Sequence, residues 1–156
     1  MELLIATSNQ GKVNEFKKLL GDRFDRVVSL AEIGKEIEVE ETGITFQQNA
    51  KKKAIEIAKA TGMLALGDDS GLVVDALDGA PGVYSSRYSK QGTDESNIAK
   101  LLKNMGGVPK EKRTARFVCA LALCNPEDLN TVMVTGTCEG YITEKPIGNK
   151  GFGYDP

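Results

Sequence analysis

The chain has 156 residues, no histidine and a net charge of -2 from 20 basic and 22 acidic side chains. That length suffices for one domain with a core, and the charge balance offers no field to attract nucleic acid or a membrane surface. The lack of histidine excludes a Ser-His-Asp triad, a Cys-His pair and a HExxH zinc site within the chain. Acid–base work falls to Asp, Glu, Lys or Tyr, or to metal-bound water. No apolar run approaches the ~20 residues of a bilayer span, and Met1-Glu2-Leu3-Leu4-Ile5 lacks the basic start of a signal peptide. Cys119, Cys124 and Cys138 lack metal-site spacing and stand in apolar strand-like runs, so they read as buried free thiols of a cytoplasmic protein.

Residues 3–6, Leu-Leu-Ile-Ala, read as a central strand buried on both faces. Thr7-Ser8-Asn9-Gln10-Gly11-Lys12 follows, and then Val13, Phe16, Leu19 and Leu20 recur at helical spacing up to Gly21. A polar loop that opens a helix presents backbone N–H groups and the positive end of the helix dipole to an anion, with Lys12 adding a full charge. It is not a Walker A loop, because Ala6 and Val13 stand where Gly and Ser or Thr are required. A plain N-cap by Ser8 or Asn9 accounts for the same residues.

Val27, Val28 and Leu30 suggest a second strand. Residues 36–40 alternate Glu36, Glu38 and Glu40 against Ile37 and Val39, the pattern of a half-exposed strand. Glu40 and Glu41 close it before Thr42-Gly43. Thr45 and Gln48 fit a capping box for a helix that buries Phe46, Ala50, Ala54, Ile57 and Ala58 and stops at Thr61-Gly62. Asn49 and Lys53, four apart, share a face of that helix.

Gly67-Asp68-Asp69-Ser70-Gly71 lies between the apolar runs Met63–Leu66 and Leu72–Val74, which reads as a hairpin with two adjacent carboxylates in its turn. Adjacent carboxylates repel, so a cation or a proton-transfer task gives them a reason to be there. A Gly/Pro loop, residues 79–88, precedes a helix over Thr93–Met105. Residues 115–124 and 131–138 read as a long hairpin, with threonines on the wetter face of the second strand. The chain then runs to Gly151-Phe152-Gly153-Tyr154-Asp155-Pro156.

Taken together, an anion cradle at 7–12, hard carboxylates at Glu40, Glu41, Asp68 and Asp69 suited to Mg²⁺ and a flat Phe152 for a nucleobase suggest hydrolysis of a nucleoside polyphosphate. Five stretches carry a closer likeness. They are Thr7–Lys12 with Glu15; Glu40–Phe46 with Asn49, Ala50 and Lys53; Asp68–Leu72; Gly79–Ser85 with Arg87-Tyr88; and Gly151–Pro156. In that order the chain resembles the inosine triphosphate pyrophosphatase family, which cleaves non-standard purine nucleoside triphosphates (ITP, dITP, XTP) to the monophosphate and pyrophosphate.

The resemblance implies an α/β fold with a central mixed β-sheet flanked by helices, two lobes and an active-site cleft. It implies Mg²⁺ and a homodimer. By carry-over, Thr7, Ser8, Asn9, Gln10, Gly11 and Lys12 hold the triphosphate and Lys53 neutralises it. Glu40 and Asp69 hold the metal. Asp69 accepts a proton from the attacking water with Asp68 beside it, though the order of the two carboxylates stays open. Ser70 touches substrate, and Phe152, Gly153, Tyr154 and Asp155 line the base pocket. The family also continues past the Gly-Phe-Gly-Tyr-Asp-Pro motif with a Lys and a Ser-His-Arg motif that read the purine. The expectation is therefore one pyrophosphatase domain over 1–156 that lacks its C-terminal segment and turns over weakly or not at all. Two other readings are a Maf-like pyrophosphatase, which carries Ser-Pro-Arg-Arg after its first strand, and a non-catalytic nucleotide-binding module.

Overall fold

The computed structural model describes the whole chain, Met1–Pro156. Its elements are β1 (Glu2–Ala6), α1 (Gln10–Leu20), β2 (Arg26–Ser29), α2 (Phe46–Thr61), β3 (Leu64–Val74), α3 (Asp94–Asn104), β4 (Thr114–Cys124) and β5 (Thr131–Tyr141). The five strands form one sheet in the order β2-β1-β3-β4-β5. The expected α/β sheet flanked by helices is therefore the observed fold. The chain divides into two compact units, Met1–Asp69 with Ala120–Thr135, and Ser70–Cys119 with Gly136–Pro156.

In the first unit β1 is parallel to both its neighbours, β2 and β3. The chain leaves β1 for β2 on one side and returns through α2 to β3 on the other. Right-handed crossovers in opposite directions put α1 and α2 on opposite faces of the sheet. The C-terminal ends of β1 and β3 then form a topological switch point, the place where open α/β sheets bind ligands. On the α1 face, Leu3, Ile5 and Leu66 pack with Val13 and with the half-buried Phe16 and Leu20. Leu3, Leu4 and Ile5 are at most 1% exposed, each worth about 1.5–3 kcal/mol of burial.

Helix α2 begins and ends where its sequence says it should. Thr45 Oγ1 accepts the Gln48 N–H at 3.1 Å, and Gly62 closes the helix in the left-handed conformation at φ 67°. The return half of the capping box reaches one residue further back, since Gln48 Oε1 accepts the Ile44 N–H at 2.9 Å.

In the second unit Leu72, Val74, Leu101, Met105 and Ala115 form the core, with Leu77, Tyr88, Val108, Ile142 and Tyr154 packed against it. Arg113, 6% exposed, spends its guanidinium on backbone carbonyls: Nε on Ile142 at 2.8 Å, Nη2 on Thr143 at 2.9 Å and Nη1 on Met105 at 3.0 Å. Donating several bonds to carbonyls satisfies the buried charge without a carboxylate.

Four local expectations are corrected. Gly67–Gly71 is not a hairpin turn but the middle of the eleven-residue strand β3. Gly67 is there for close packing on α2, since a Cβ would stand 2.7 Å from the Ala54 backbone nitrogen. Residues 36–40 keep their alternation of exposure but form no strand, because period two needs only an extended backbone whereas a ladder needs a partner. In β5 Thr135 and Thr137 are exposed as expected, but Thr131 is half-buried and the apolar Val132 and Val134 also face out, 67% and 58% exposed. Finally, the thiols are not uniformly buried: Cys124 is, Cys119 is partly, and Cys138 is exposed.

Candidate functional site

The loop after β1 is a cap first. Asn9 Oδ1 accepts the Lys12 N–H at 3.2 Å, and Thr7 Oγ1 accepts the Asn9 N–H at 3.1 Å. Of the two capping residues considered, Asn9 is the N-cap of α1. Gln10 and Gly11 open the helix, with Gln10 Nε2 donating to Asn14 Oδ1 at 2.9 Å, and Ser8 is exposed. Capping does not engage the Lys12 side chain. Its Nζ stands 2.8 Å from Asp68 Oδ2, with the two side chains 19% and 2% exposed. Burial works against the Lys12 charge, but Asp68, and more weakly Asp69 and Glu41, hold its pKa above the ordinary lysine value. Losing one member of so buried a pair costs about 3–5 kcal/mol.

Because β3 is a strand, Asp68 and Asp69 point to opposite faces. Asp68 follows Leu64 and Leu66 to the α1 face, where Lys12 meets it. Asp69 follows Ala65 and Gly67 to the α2 face, where Asn49 Nδ2 donates to its Oδ2 at 3.0 Å. The two carboxylates are 1% and 4% exposed. Burial pushes the Asp69 carboxyl up to about 6; the Asn49 hydrogen bond pulls it down, the Glu41 charge pushes it up, and Lys53 and Lys12 pull it down. Such a carboxylate titrates close to the range in which a general base is useful.

The acidic segment is fixed from α2. Lys53 Nζ pairs with Glu41 Oε1 at 2.5 Å and donates to the Asp68 carbonyl at 2.9 Å. Lys52 Nζ donates to the Glu40 carbonyl at 2.7 Å and to Thr42 Oγ1 at 3.1 Å. It is Glu41, half-buried, that turns toward Lys53 and Asp69, while Glu40 is exposed and engages Lys52 through its backbone. No group of three or more Asp, Glu, Cys or His side chains is arranged to hold a metal.

The C-terminal loop belongs to the second unit. Phe152, Gly153 and Tyr154 are half-buried and Asp155 is exposed. Their polar atoms are used locally: Asp155 Oδ2 accepts the Phe152 N–H at 3.1 Å, Asp94 Oδ2 accepts the Gly153 N–H at 3.0 Å, and the Tyr154 hydroxyl donates to the Ser85 carbonyl at 2.6 Å. Burial, then the nearby Tyr88 and Asp94, raises the Tyr154 hydroxyl well above its ordinary pKa. Tyr154 and Asp155 also border a cavity of about 220 Å³ lined by Leu72, Leu101, Arg116 and Tyr141. Ser70, half-buried, is the first residue of this unit.

A model of the Ham1 family matches residues 3–156. The chain belongs to the Ham1 family. The dITP/XTP pyrophosphatase of Bacillus licheniformis is 55% identical over 156 residues, which are 99% of this chain and 79% of that protein. The dITP/XTP pyrophosphatase of Bacillus subtilis is 54% identical over 99% of this chain and 78% of its own. Among solved structures, the Ham1 protein of Staphylococcus aureus superposes with a TM-score of 0.84 at 43% identity, covering 100% of this chain and 79% of that one. The resemblance read from five motifs is thus borne out along the whole chain.

In this Ham1 chain the first unit brings together Lys12, Glu41, Asn49, Lys53, Asp68 and Asp69. Sequence reasoning named Lys12, Lys53, Asp68 and Asp69. It named Glu41 with Glu40 among the candidate carboxylates but gave the metal to Glu40, and it set Asn49 on the face of Lys53 without a role. The signal for Asn49 was its four-residue spacing from Lys53 at the start of a helix that packs on the Asp69 strand.

Proposed function

We propose that the chain hydrolyses non-standard purine nucleoside triphosphates of the dITP and XTP class to the monophosphate and pyrophosphate. The observation that carries this reading is the gathering of Lys12 on Asp68, Lys53 on Glu41 and the buried Asp69 at the switch point of the sheet. Relatives about half identical along nearly the whole chain bear the name dITP/XTP pyrophosphatase. The loop Thr7–Lys12 and the Lys53 side chain take the anionic triphosphate, and Asp69 accepts the proton of the attacking water. An oxygen–phosphorus bond forms, the anhydride oxygen leaves with pyrophosphate, and the proton rests on Asp69. By the same resemblance, Phe152, Gly153, Tyr154 and Asp155 are assigned to the base and Ser70 to a substrate contact.

A divalent cation, taken as Mg²⁺, fits the donors. The Asp69 and Glu41 carboxylates repel strongly enough that Glu41 raises Asp69, and Mg²⁺ is commonly held by one or two carboxylates with substrate phosphates completing its shell. Glu40, exposed in the same segment, is with Asp69 the pair that the resemblance assigns to the metal. When bound, the cation supplies polarisation of the phosphoryl oxygens and a water of lowered pKa. The resemblance extends the proposal to a cytoplasmic homodimer. No helix is long and apolar enough to cross a membrane.

The test is pyrophosphate release from dITP, XTP, ATP and GTP with Mg²⁺. Release from dITP and XTP in preference to ATP and GTP supports the reading. Nucleotide binding without release would leave a binding module instead.

A further inference from the structure

Asn49 is fully buried in the first turn of α2, at 0% exposure. A buried amide must place both its ends, or it costs the desolvation of whatever is left unmade. Here each end has one assignment. Asn49 Oδ1 accepts the Gly43 N–H at 2.7 Å. A backbone N–H only donates, so this contact fixes which way the amide is turned. The Nδ2 end is then held on Asp69 Oδ2 at 3.0 Å. Gly43 is pressed onto the amide so closely that a Cβ there would stand 2.7 Å from Asn49 Oδ1. One short side chain therefore joins the segment that carries Glu41 to the strand that carries Asp69.

We propose that Asn49 is a positioning residue for the hydrolysis: it fixes the rotation of the Asp69 carboxylate by engaging Oδ2, and it sets the distance between Asp69 and the Glu40–Gly43 segment. The proposal rests on the reading of Asp69 as proton acceptor. Asparagine is required on chemical grounds. Aspartate has no donor for Asp69, leucine fills the space with neither contact, and glutamine sets the same amide one methylene too far. A carboxylate free to rotate presents its accepting oxygen in many directions, and small misplacements of a reacting group cost rate far more than they cost binding.

The test has two arms on the full chain. The first is a stability cycle of Asn49→Asp, Asp69→Asn and the double exchange, followed by urea denaturation. Asn49→Asp alone is expected to lower the midpoint by opposing two buried carboxylates. The exchanged pair is expected to recover most of that loss, because one amide then again donates to one carboxylate. Strict additivity of the two single changes would overturn the contact and the proposal with it, whatever the enzyme turns over.

The second arm is steady-state pyrophosphate release from dITP and XTP by Asn49→Leu and Gly43→Ala, each first shown to be folded by circular dichroism. The expected result is a kcat lowered by about tenfold or more in Asn49→Leu with KM within about threefold. Gly43→Ala, which displaces the amide without removing it, should show the same split in a weaker form. A folded Asn49→Leu with kcat unchanged, or with the loss confined to KM, would overturn the positioning role while leaving the function reading intact. No release from either substrate by the unsubstituted chain would instead remove the function reading, and the positioning role with it.

Discussion

The two regions named as site from the sequence hold their polar atoms differently. Around Asp69 the first unit gathers charge it must support: Lys12 against Asp68 at 2.8 Å, Lys53 against Glu41 at 2.5 Å, and a carboxyl lifted to about 6. In the Gly151–Asp155 loop of the second unit the polar side chains are spent on backbone groups. Asp155 caps the Phe152 N–H, and Tyr154 holds the Ser85 carbonyl. Burying charge costs far more than folding a loop, so the first arrangement points to chemistry and the second to shape. The first region is expected to govern rate, the second affinity.

The largest effect expected is that of Asp69→Asn. With Asp69 in the proposed role of general base, whose removal typically costs about 10²–10⁴-fold, pyrophosphate release should fall by about 10³-fold while ITP still binds in equilibrium dialysis. Unchanged release would take Asp69 out of the base role and collapse the contrast between the regions.

Gly67→Ala comes next. Its Cβ would press on the backbone of α2, 2.7 Å from the Ala54 nitrogen, and overpacking of this kind costs about 1–3 kcal/mol. A lowered urea midpoint is the readout; a midpoint equal to that of the unsubstituted chain would deny the close helix–strand approach that aims Asp68 and Asp69.

The pH dependence is the third. Burial raises Asp69 from 3.8 to about 6, so without metal the folded state binds the proton more tightly than the unfolded chain does. The Asp69 contribution to stability is then most favourable below about 4, declines as pH rises from about 4 to about 6, and stays at its lowest above that. Asp69→Asn should remove that decline, so thermal melts of the two proteins between pH 4 and pH 7 should diverge upward in favour of the variant. Parallel curves would contradict a buried, strained carboxylate.

The smallest effect expected is that of Asp155→Ala. It removes one cap on the Phe152 N–H, worth about 1 kcal/mol. In the steady state it should raise KM by a few-fold, roughly up to tenfold, with kcat kept. A fall in kcat at constant KM would place this loop in the chemistry and erase the distinction.

Much of the fold was legible because its signals are local. Thr45 and Gly62 bound α2 through contacts made within one helical turn, and the run Leu3–Ala6 declares a strand buried on both faces. Where the signal allows two outcomes, the sequence could not choose. Alternation in β5 marks two faces but not which one is covered, and it is Val132 and Val134 that face out. Glycines flanking Asp68-Asp69 suit a turn and a tight helix contact equally well, and the helix Ala50–Ala54 settles it in favour of the strand.

The sequence by itself determined the composition of the candidate site: two lysines, adjacent carboxylates, a capped loop after a buried strand, and no histidine. Tertiary structure alone decided how they meet. A continuous β3 sends Asp68 to α1 and Asp69 to α2, Glu41 rather than Glu40 turns inward, and Asn49 joins that segment to Asp69. Caps and periodicity are set by neighbours a few residues away. The orientation of a carboxylate is set by whichever distant element packs on its face, and Asn49 lies twenty residues from Asp69 in the chain.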